Sequence, residues 1–309
     1  MEAFILDNIN FKLINVLSQD MAEYQKLHNL LFPGMSINAE WIKWYHNRLY
    51  HPRTYGAFDN DKLIGIWSVE PRKFWNGSSI LSMGRCFAVG IHPDFRRKGL
   101  FVELSKYALD YEKQLKQYDY IVGFPQTDRE VVGGHFKAGW YPVQTISSYC
   151  IENKEINKYH LDAFMLFRLT SFKDIDYREV LGGSFIERAS HKNLRWCYHP
   201  NNAYMLFNYY DSYIVLKPYG NICHILDVQG EDTSHLLAVA EKLCKSHNWA
   251  AVTIWCADNE IYRNNIIKIG FTPNEKYMKS ITMIAYNINS KKNLTLDKCH
   301  IQTGVEEPY

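Results

Sequence analysis

The chain has 309 residues, 47% of them hydrophobic and 22% charged, with a formal net charge of +2. That length suits two domains of ordinary size, and the composition excludes disordered and fibrous classes. Lys and Arg number 35 against 33 Asp and Glu, so the global charge gives no reason to expect nucleic acid. No apolar run approaches the roughly 20 residues of a membrane helix, so no membrane insertion is expected. Residues 1–12 mix Glu2, Asp7 and Asn8 into their apolar positions, unlike a secretory leader. Seven cysteines without paired or Cys-x-x-Cys spacing fit reduced thiols in a cytoplasmic protein and argue against a metal site. Aromatic residues reach 15%. They can fill cores, or line a cleft that stacks on a flat or ring-shaped ligand.

In chain order, residues 11–16 read as a strand. A helical pattern over 21–31 follows Ser18 and Asp20 and ends at Pro33-Gly34. A second helix is expected over 36–50, carrying Trp41, Trp44 and Tyr45. Strands follow at 54–58, 63–70 and 79–89. The segment 99–117 keeps a 3-and-4 apolar spacing through Leu100, Leu104, Tyr107, Ala108, Tyr111 and Leu115, the mark of a helix with one buried face. A short strand over 120–124, a helix over 129–138 capped by Gly139, and a strand over 141–151 complete a mixed α/β half.

The polar stretch 152–160 reads as a link, after which the order of elements starts again. Tyr50-His51-Pro52 precedes Tyr55-Gly56-Ala57-Phe58; Tyr198-His199-Pro200 precedes Tyr204-Met205-Leu206-Phe207. Strands over 223–228 and 250–256 each lead into a helix, the second ending at Gly270-Phe271 as the first half ends at Gly139-Trp140. The expectation is a duplication: a first domain over 1–151, a second over 160–286, and a polar, peripheral tail over 287–309.

Chemistry concentrates in Val89-Gly90-Ile91-His92-Pro93-Asp94-Phe95-Arg96-Arg97-Lys98-Gly99-Leu100-Phe101. A strand ends, three cations follow, and Gly99 opens a helix. Free amides, the helix dipole and close backbone approach at glycine make this an anion site suited to a pyrophosphate. The other reading is a basic helix start exposed to solvent.

The wording of this segment resembles the coenzyme A loop of the GCN5-related N-acetyltransferase superfamily. That pattern is Arg or Gln, two residues, Gly, one residue, then Gly or Ala. Arg96 and Gly99 match it, and Phe101 departs from it. The resemblance spans about residues 10–150, and the second half resembles the same fold in degenerate form. It implies a mixed α/β fold of two tandem domains, each a mixed sheet flanked by helices, with an acyl-CoA co-substrate held by Arg96, Arg97, Lys98, Gly99, Leu100 and Phe101. It further implies that backbone amides at Phe87, Ala88 and Val89 face the acyl oxygen. Long tandem members include bacterial enzymes that acylate nucleotide-linked amino sugars for surface polysaccharide. The segment Trp44 to His46 and the run Gly123 to Pro125 look similar to that branch.

Superfamily members often carry a Tyr four residues before the Gly of a Gly-Phe pair, as proton donor to the departing thiolate. Here that position holds His135, which could donate that proton or act as base on the amine. The alternative is a partly exposed helix histidine. Glu70, His92, Asp128 and Glu130 are candidate bases, each with a surface, capping or loop role as the rival reading. A dedicated base can also be absent, because holding the amine beside the thioester supplies much of the acceleration. Cys86 is the nearest nucleophile and reads as structural, so direct attack by the amine is expected. The second copy has Gln229-Gly230-Glu231-Asp232-Thr233 at the loop position, acidic where the first is basic, so one acyl-CoA site per chain is expected. Arg195, Trp196 and Tyr198 are candidates for contact with the acceptor, against a core Trp and a surface Arg.

These observations lead to an acyl-CoA-dependent N-acyltransferase acting by direct attack on a nucleotide-linked amino deoxysugar. Another small amine or peptide, or a non-catalytic acyl-CoA-binding module, are the alternatives.

Overall fold

The computed structural model describes residues 9–153, 184–186, 195–196, 204–209, 212–231 and 233–300. The first half begins with β1 (Ile9–Ile14) and α1 (Met21–Leu31). α2 (Ala39–Lys43) runs on into a π-helical turn (Trp44–Leu49). Asn38 caps α2 by accepting from the Trp41 amide at 2.8 Å. Next come β2 (Arg53–Asp59), β3 (Lys62–Trp75), β4 (Ile80–Ile91), a 3-10 turn (Pro93–Phe95) and α3 (Leu100–Leu115). β5 (Tyr120–Gly123), α4 (Val131–Lys137) and β6 (Tyr141–Glu152) close the half. The described part of the second half comprises β7 (Ser184–Ile186), β8 (Met205–Tyr209), β9 (Ser212–Tyr219), β10 (Ile222–Gln229), α5 (Thr233–Ser246), β11 (Ala251–Ala257), α6 (Arg263–Ile269), β12 (Thr272–Pro273) and β13 (Ile281–Asn287). Residues 154–160, and with them most of the expected link, lie outside the described residues, as does Tyr198-His199-Pro200.

α3 forms where the 3-and-4 spacing places it. Leu100, Leu104, Ala108 and Leu109 are buried against the sheet. Leu115 does not join them: in the last turn, before the Lys116 cap, it is 39% exposed. The glycine after each short helix has a positive φ, +94° at Gly139 and +112° at Gly270. The next residue returns its amide to the helix, Trp140 to the His135 carbonyl and Phe271 to the Ile266 carbonyl, both at 3.2 Å. The two halves thus share one C-terminal cap, bond for bond.

β1 to β4 form an antiparallel meander. β4 and β5 run parallel but pair only over Met83–Arg85 with Tyr120–Val122, after which they part. In the second half β10 and β11 repeat this, pairing only over Ile222–His224 with Ala251–Thr253. The halves meet strand to strand. β13 lies between β5 and β6, and β6 pairs antiparallel with β11 on its other side. All 13 strands therefore form one mixed sheet with helices packed on it. Among the described residues no helix is long and apolar enough to cross a membrane.

The segment after β13 corrects the expectation of a peripheral tail. Asn289 donates to the Lys116 and Tyr118 carbonyls at 3.0 and 2.8 Å, and Leu294 takes the Tyr141 hydroxyl oxygen at 2.8 Å through its amide. Leu294, Cys299 and His300 are buried. The polar residues of this stretch serve as ties to the sheet, which composition alone hides.

Candidate active site

The site grows from the parting of β4 and β5. Beyond Arg85 the two strands share no ladder, and β4 also slips against β3, so that Ile66 opposes Gly90 while Ser68 opposes Phe87. The extra residues make a bulge with Ala88 at φ +46°. The bulge interrupts the regular β3–β4 register at residues 87–90.

At the far end of β4, the basic turn is held by its own residues. His92 donates its amide to the Ile64 carbonyl at 2.7 Å and accepts from the Asp94 amide at Nδ1, 3.4 Å. Arg96 folds back so that Nε donates to the Ile91 carbonyl at 3.0 Å. His92 and Arg96 therefore shape the loop. Arg97 is exposed, and Lys98 lies over the Phe95 ring at 5.1 Å. Gly99 caps α3 at φ +80° with open space where a Cβ would stand. Leu100 anchors the first turn in the core. Val102 and Glu103 both donate their amides to the Gly99 carbonyl, at 3.0 and 3.2 Å, which leaves the amides before them as the unbonded first donors of a helix start.

Phe101 accounts for its own departure from the small-residue pattern. Its ring turns sideways onto α4, where a Cβ on Gly134 would come within 2.7 Å of it. The glycine makes room for the ring and the helix start stays clear. The start of α3 and the parting of β4 from β5 thus lie at the same end of the first half.

His135 lies under that ring. Its imidazole is edge-on to Phe101 at 5.0 Å and to Trp140 at 4.9 Å, and the residue is 4% exposed. Burial lowers its pKa to about 4, so the ring is neutral near pH 7. It is not among the residues lining the cleft described below. The equivalent position of the second half holds Ile266, a buried core residue.

Glu70 is neither a surface residue nor a free base. It is fully buried, with Arg72 Nε at 2.7 Å and Arg85 Nε at 2.6 Å on one carboxylate oxygen and the Tyr45 hydroxyl on the other. Burial alone would raise its pKa, but the two guanidinium groups outweigh burial and hold it at about 2. Arg72 in turn stacks on Tyr50, 3.7 Å from the ring centre. Glu70 and Arg85 are opposite one another on β3 and β4, so this ion cluster ties the meander just where β4 parts from β5. Asp128 and Glu130 are exposed, Asp128 beside Lys279 at 3.6 Å. Cys86 is buried in the core on the α3 side of β4, away from Phe87, which packs on Tyr45.

Phe87 and Ala88 open onto a cleft of about 510 Å³ between the halves. Its first-half wall includes His28, Phe32 and Phe124; its second-half wall includes Tyr219, His224 and Trp255. A segment before β13, with Glu275, Lys276, Tyr277 and Lys279, forms the rim. No motif in the sequence marks these second-half residues; the only signal is the alternation of β10 and β11, which puts Ile222, His224 and Trp255 on the face opposite the core. Arg195 and Trp196, expected near the acceptor, are elsewhere. Trp196 is a core residue, 1% exposed among Leu206, Tyr213, Val215 and Leu226, and Arg195 is buried beside it and Tyr50. Trp196 thus occupies the core position of its rival reading, whereas Arg195 is buried and not at the surface. Tyr198 lies outside the described residues.

The second parting, between β10 and β11, is filled. His300 stands between two carboxylates, with Nδ1 2.8 Å from Glu260 and Nε2 3.3 Å from Asp227. Tyr213 donates to the other Asp227 oxygen at 2.6 Å. The space left there is about 10 Å³, room for one water and no cofactor.

Residues 12–129 match the family model of the acetyltransferase (GNAT) domain. No curated protein is similar to the chain in sequence. Solved structures share the fold at low identity. A GCN5-related N-acetyltransferase from Kribbella flavida superposes with TM-score 0.61 at 10% identity, over 91% of this chain and 71% of that one. One from Anabaena variabilis gives 0.62 at 14%, over 91% and 73%. Eis1 from Mycobacterium abscessus gives 0.54 at 12%, over 91% and 74%.

Proposed function

We propose that this chain, whose residues 12–129 match the acetyltransferase (GNAT) domain, is an acyl-CoA-dependent N-acyltransferase that acylates the amine of a nucleotide-linked amino deoxysugar in the cytoplasm. The observation that carries the choice of acceptor is the cleft between the halves. It combines the bulge at Phe87 and Ala88 with Tyr219, Trp255 and Tyr277, and with Lys276 and Lys279 at its rim. Aromatic faces suit a base and a sugar ring, and ammonium groups suit a diphosphate.

The chain's residues divide the work. Arg97, Lys98 and the amides of residues 97–101 hold the pyrophosphate of acyl-CoA. The parted strands seat its thioester with the carbonyl oxygen toward the amides of 87–89, which stabilise the negative charge that develops there. The amine enters from the cleft and attacks the carbonyl directly, with no cysteine ester. His135 packs beneath Phe101, and the second half walls the cleft and takes no coenzyme of its own.

A thiol-release assay over acetyl- and hydroxybutyryl-CoA, with nucleotide-linked amino sugars, polyamines and peptide amines as acceptors, tests the reading. Release with the amino sugars supports it. Release only with another amine moves the acceptor class, and coenzyme A binding without release with any amine leaves a binding module. Gly99→Val places a branched side chain at φ +80°, where L-residues are strained by about 1–2 kcal/mol, and in the path of the pyrophosphate. Calorimetry should show coenzyme A affinity at least tenfold weaker in that variant.

A further inference from the structure

We propose that His224, on the second-half wall of the cleft, accepts the proton that the acceptor amine loses as it attacks; the inference rests on the N-acyltransferase reading above. His224 sits directly beside Thr253, at the last paired position before β10 and β11 part. Its Nδ1 is 2.6 Å from the Thr253 hydroxyl, and that hydroxyl reaches the Met278 sulfur at 3.6 Å. A hydroxyl has one proton. Directed at the sulfur, it leaves the Thr253 oxygen to accept from Nδ1–H, so Nε2 carries the lone pair. Among the described residues nothing bonds Nε2. Both His224 and Met278 line the cleft onto which Phe87 and Ala88 open.

The surroundings keep the imidazole ready to accept. Lys217 and Tyr219 face it from β9, Thr253 and Trp255 lie on β11, and Glu275, Lys276, Tyr277 and Lys279 approach from the rim; His28 faces the cleft from α1. Burial, then the Lys217 charge, lowers the His224 pKa to about 4, so it is neutral near pH 7. A base that weak cannot strip an ammonium group. After bond formation the nitrogen bears positive charge and is more acidic than free ammonium, increasingly so as the carbon–sulfur bond breaks, so its proton can pass to Nε2 as the intermediate collapses. In the balanced step the amine nitrogen bonds the thioester carbon, its proton passes to Nε2, the carbon–sulfur bond breaks, and the thiolate recovers a proton. The products are an amide and free coenzyme A.

The test uses the full chain, acetyl-CoA, and the amine of the panel above that releases thiol fastest. His224→Ala and His224→Gln should each lower kcat by about 10²-fold and leave the KM for acetyl-CoA unchanged. Gln keeps an amide for Thr253, so it separates proton transfer from packing, and it decides the matter if the Ala variant fails to fold. Added imidazoles should restore the rate of the Ala variant, more for the more basic ones. A kcat within threefold of wild type in the Gln variant overturns the inference, as does a loss confined to the KM for the amine or a rescue indifferent to imidazole basicity. If no amine in the panel releases thiol, the N-acyltransferase reading falls and takes this inference with it. If wild type releases thiol and the variants match it, only the inference falls.

Discussion

Phe101 and Gly134 form one replacement in two parts. The family pattern asks for a small residue at 101, and the ring that stands there is accommodated by a glycine on the facing helix. Had Gly134 been alanine, its Cβ would stand 2.7 Å from the Phe101 ring, and the ring would have to shift from its place beside the proposed pyrophosphate site. His135 completes the set as the floor under the ring. Its position in the chain matches that of a proton donor, yet its neutral ring between Phe101 and Trp140 is built like the Ile266 site of the other half. His135→Phe should therefore keep kcat within about threefold, measured by thiol release, where loss of a true acid or base would cost 10²-fold or more. A drop of that larger size would restore the donor role. The contrast shows what a sequence exposes at this scale. Gly99 was legible because only a residue tolerant of φ +80° fits a turn that opens a helix. The surroundings of His135 were not, because they depend on which side chain the neighbouring helix puts against it. The same is true of Glu70, whose two arginines come from its own strand and the next and leave no local mark.

At the scale of elements, periodicity and caps carried most of the reading. α1 spans the expected residues 21–31, and α5 supplies the helix expected after the strand over 223–228, since apolar positions three and four apart bury one face. The helix expected over 36–50 is real but begins later, at the Asn38 cap, and widens to a π-turn in which Trp41 stacks on Tyr45 at 4.7 Å. What stayed hidden was the segment after β13, whose polar residues bond the sheet and deliver His300 into the second half. Burial there would depress the imidazole pKa, but the Glu260 and Asp227 carboxylates outweigh it and raise it to about 9. A raised folded-state pKa stabilises the fold fully below the unfolded value of about 6.5, and the contribution disappears as pH rises through about 9. Its upper bound is about 3 kcal/mol. Urea denaturation should show His300→Gln clearly less stable than wild type at pH 6, with the gap narrowing by pH 10. A gap independent of pH would mean that His300 contributes packing and no charge.

The whole molecule is held by an exchange of strands. Each half contains a pair of parting parallel strands, and in each the next place in the sheet is taken by a strand from the other half: β13 beside β5, β6 beside β11. Local patterns cannot show this, because a strand's alternation says which face is buried and nothing about its neighbour. The two cores look separable in sequence for that reason, and the structure makes them interdependent. β13 alone contributes Ile281, Met283, Ile284 and Ala285 to the interior, all at 0–1% exposure, between strands of the first half. A fragment of residues 1–153 lacks β13 and β11. It would expose the ladder edge of β5 and both edges of β6, with no apolar partner for Ile121, Val122 or Ile146. Such a fragment should give no cooperative unfolding transition and should aggregate at concentrations where the full chain is monodisperse. The full chain should unfold in one transition, coincident by circular dichroism and tryptophan fluorescence, because neither half has a complete sheet without the other. A stable fragment with its own sharp transition, or two separated transitions in the full chain, would show that the halves fold independently and that the exchanged strands are merely docked.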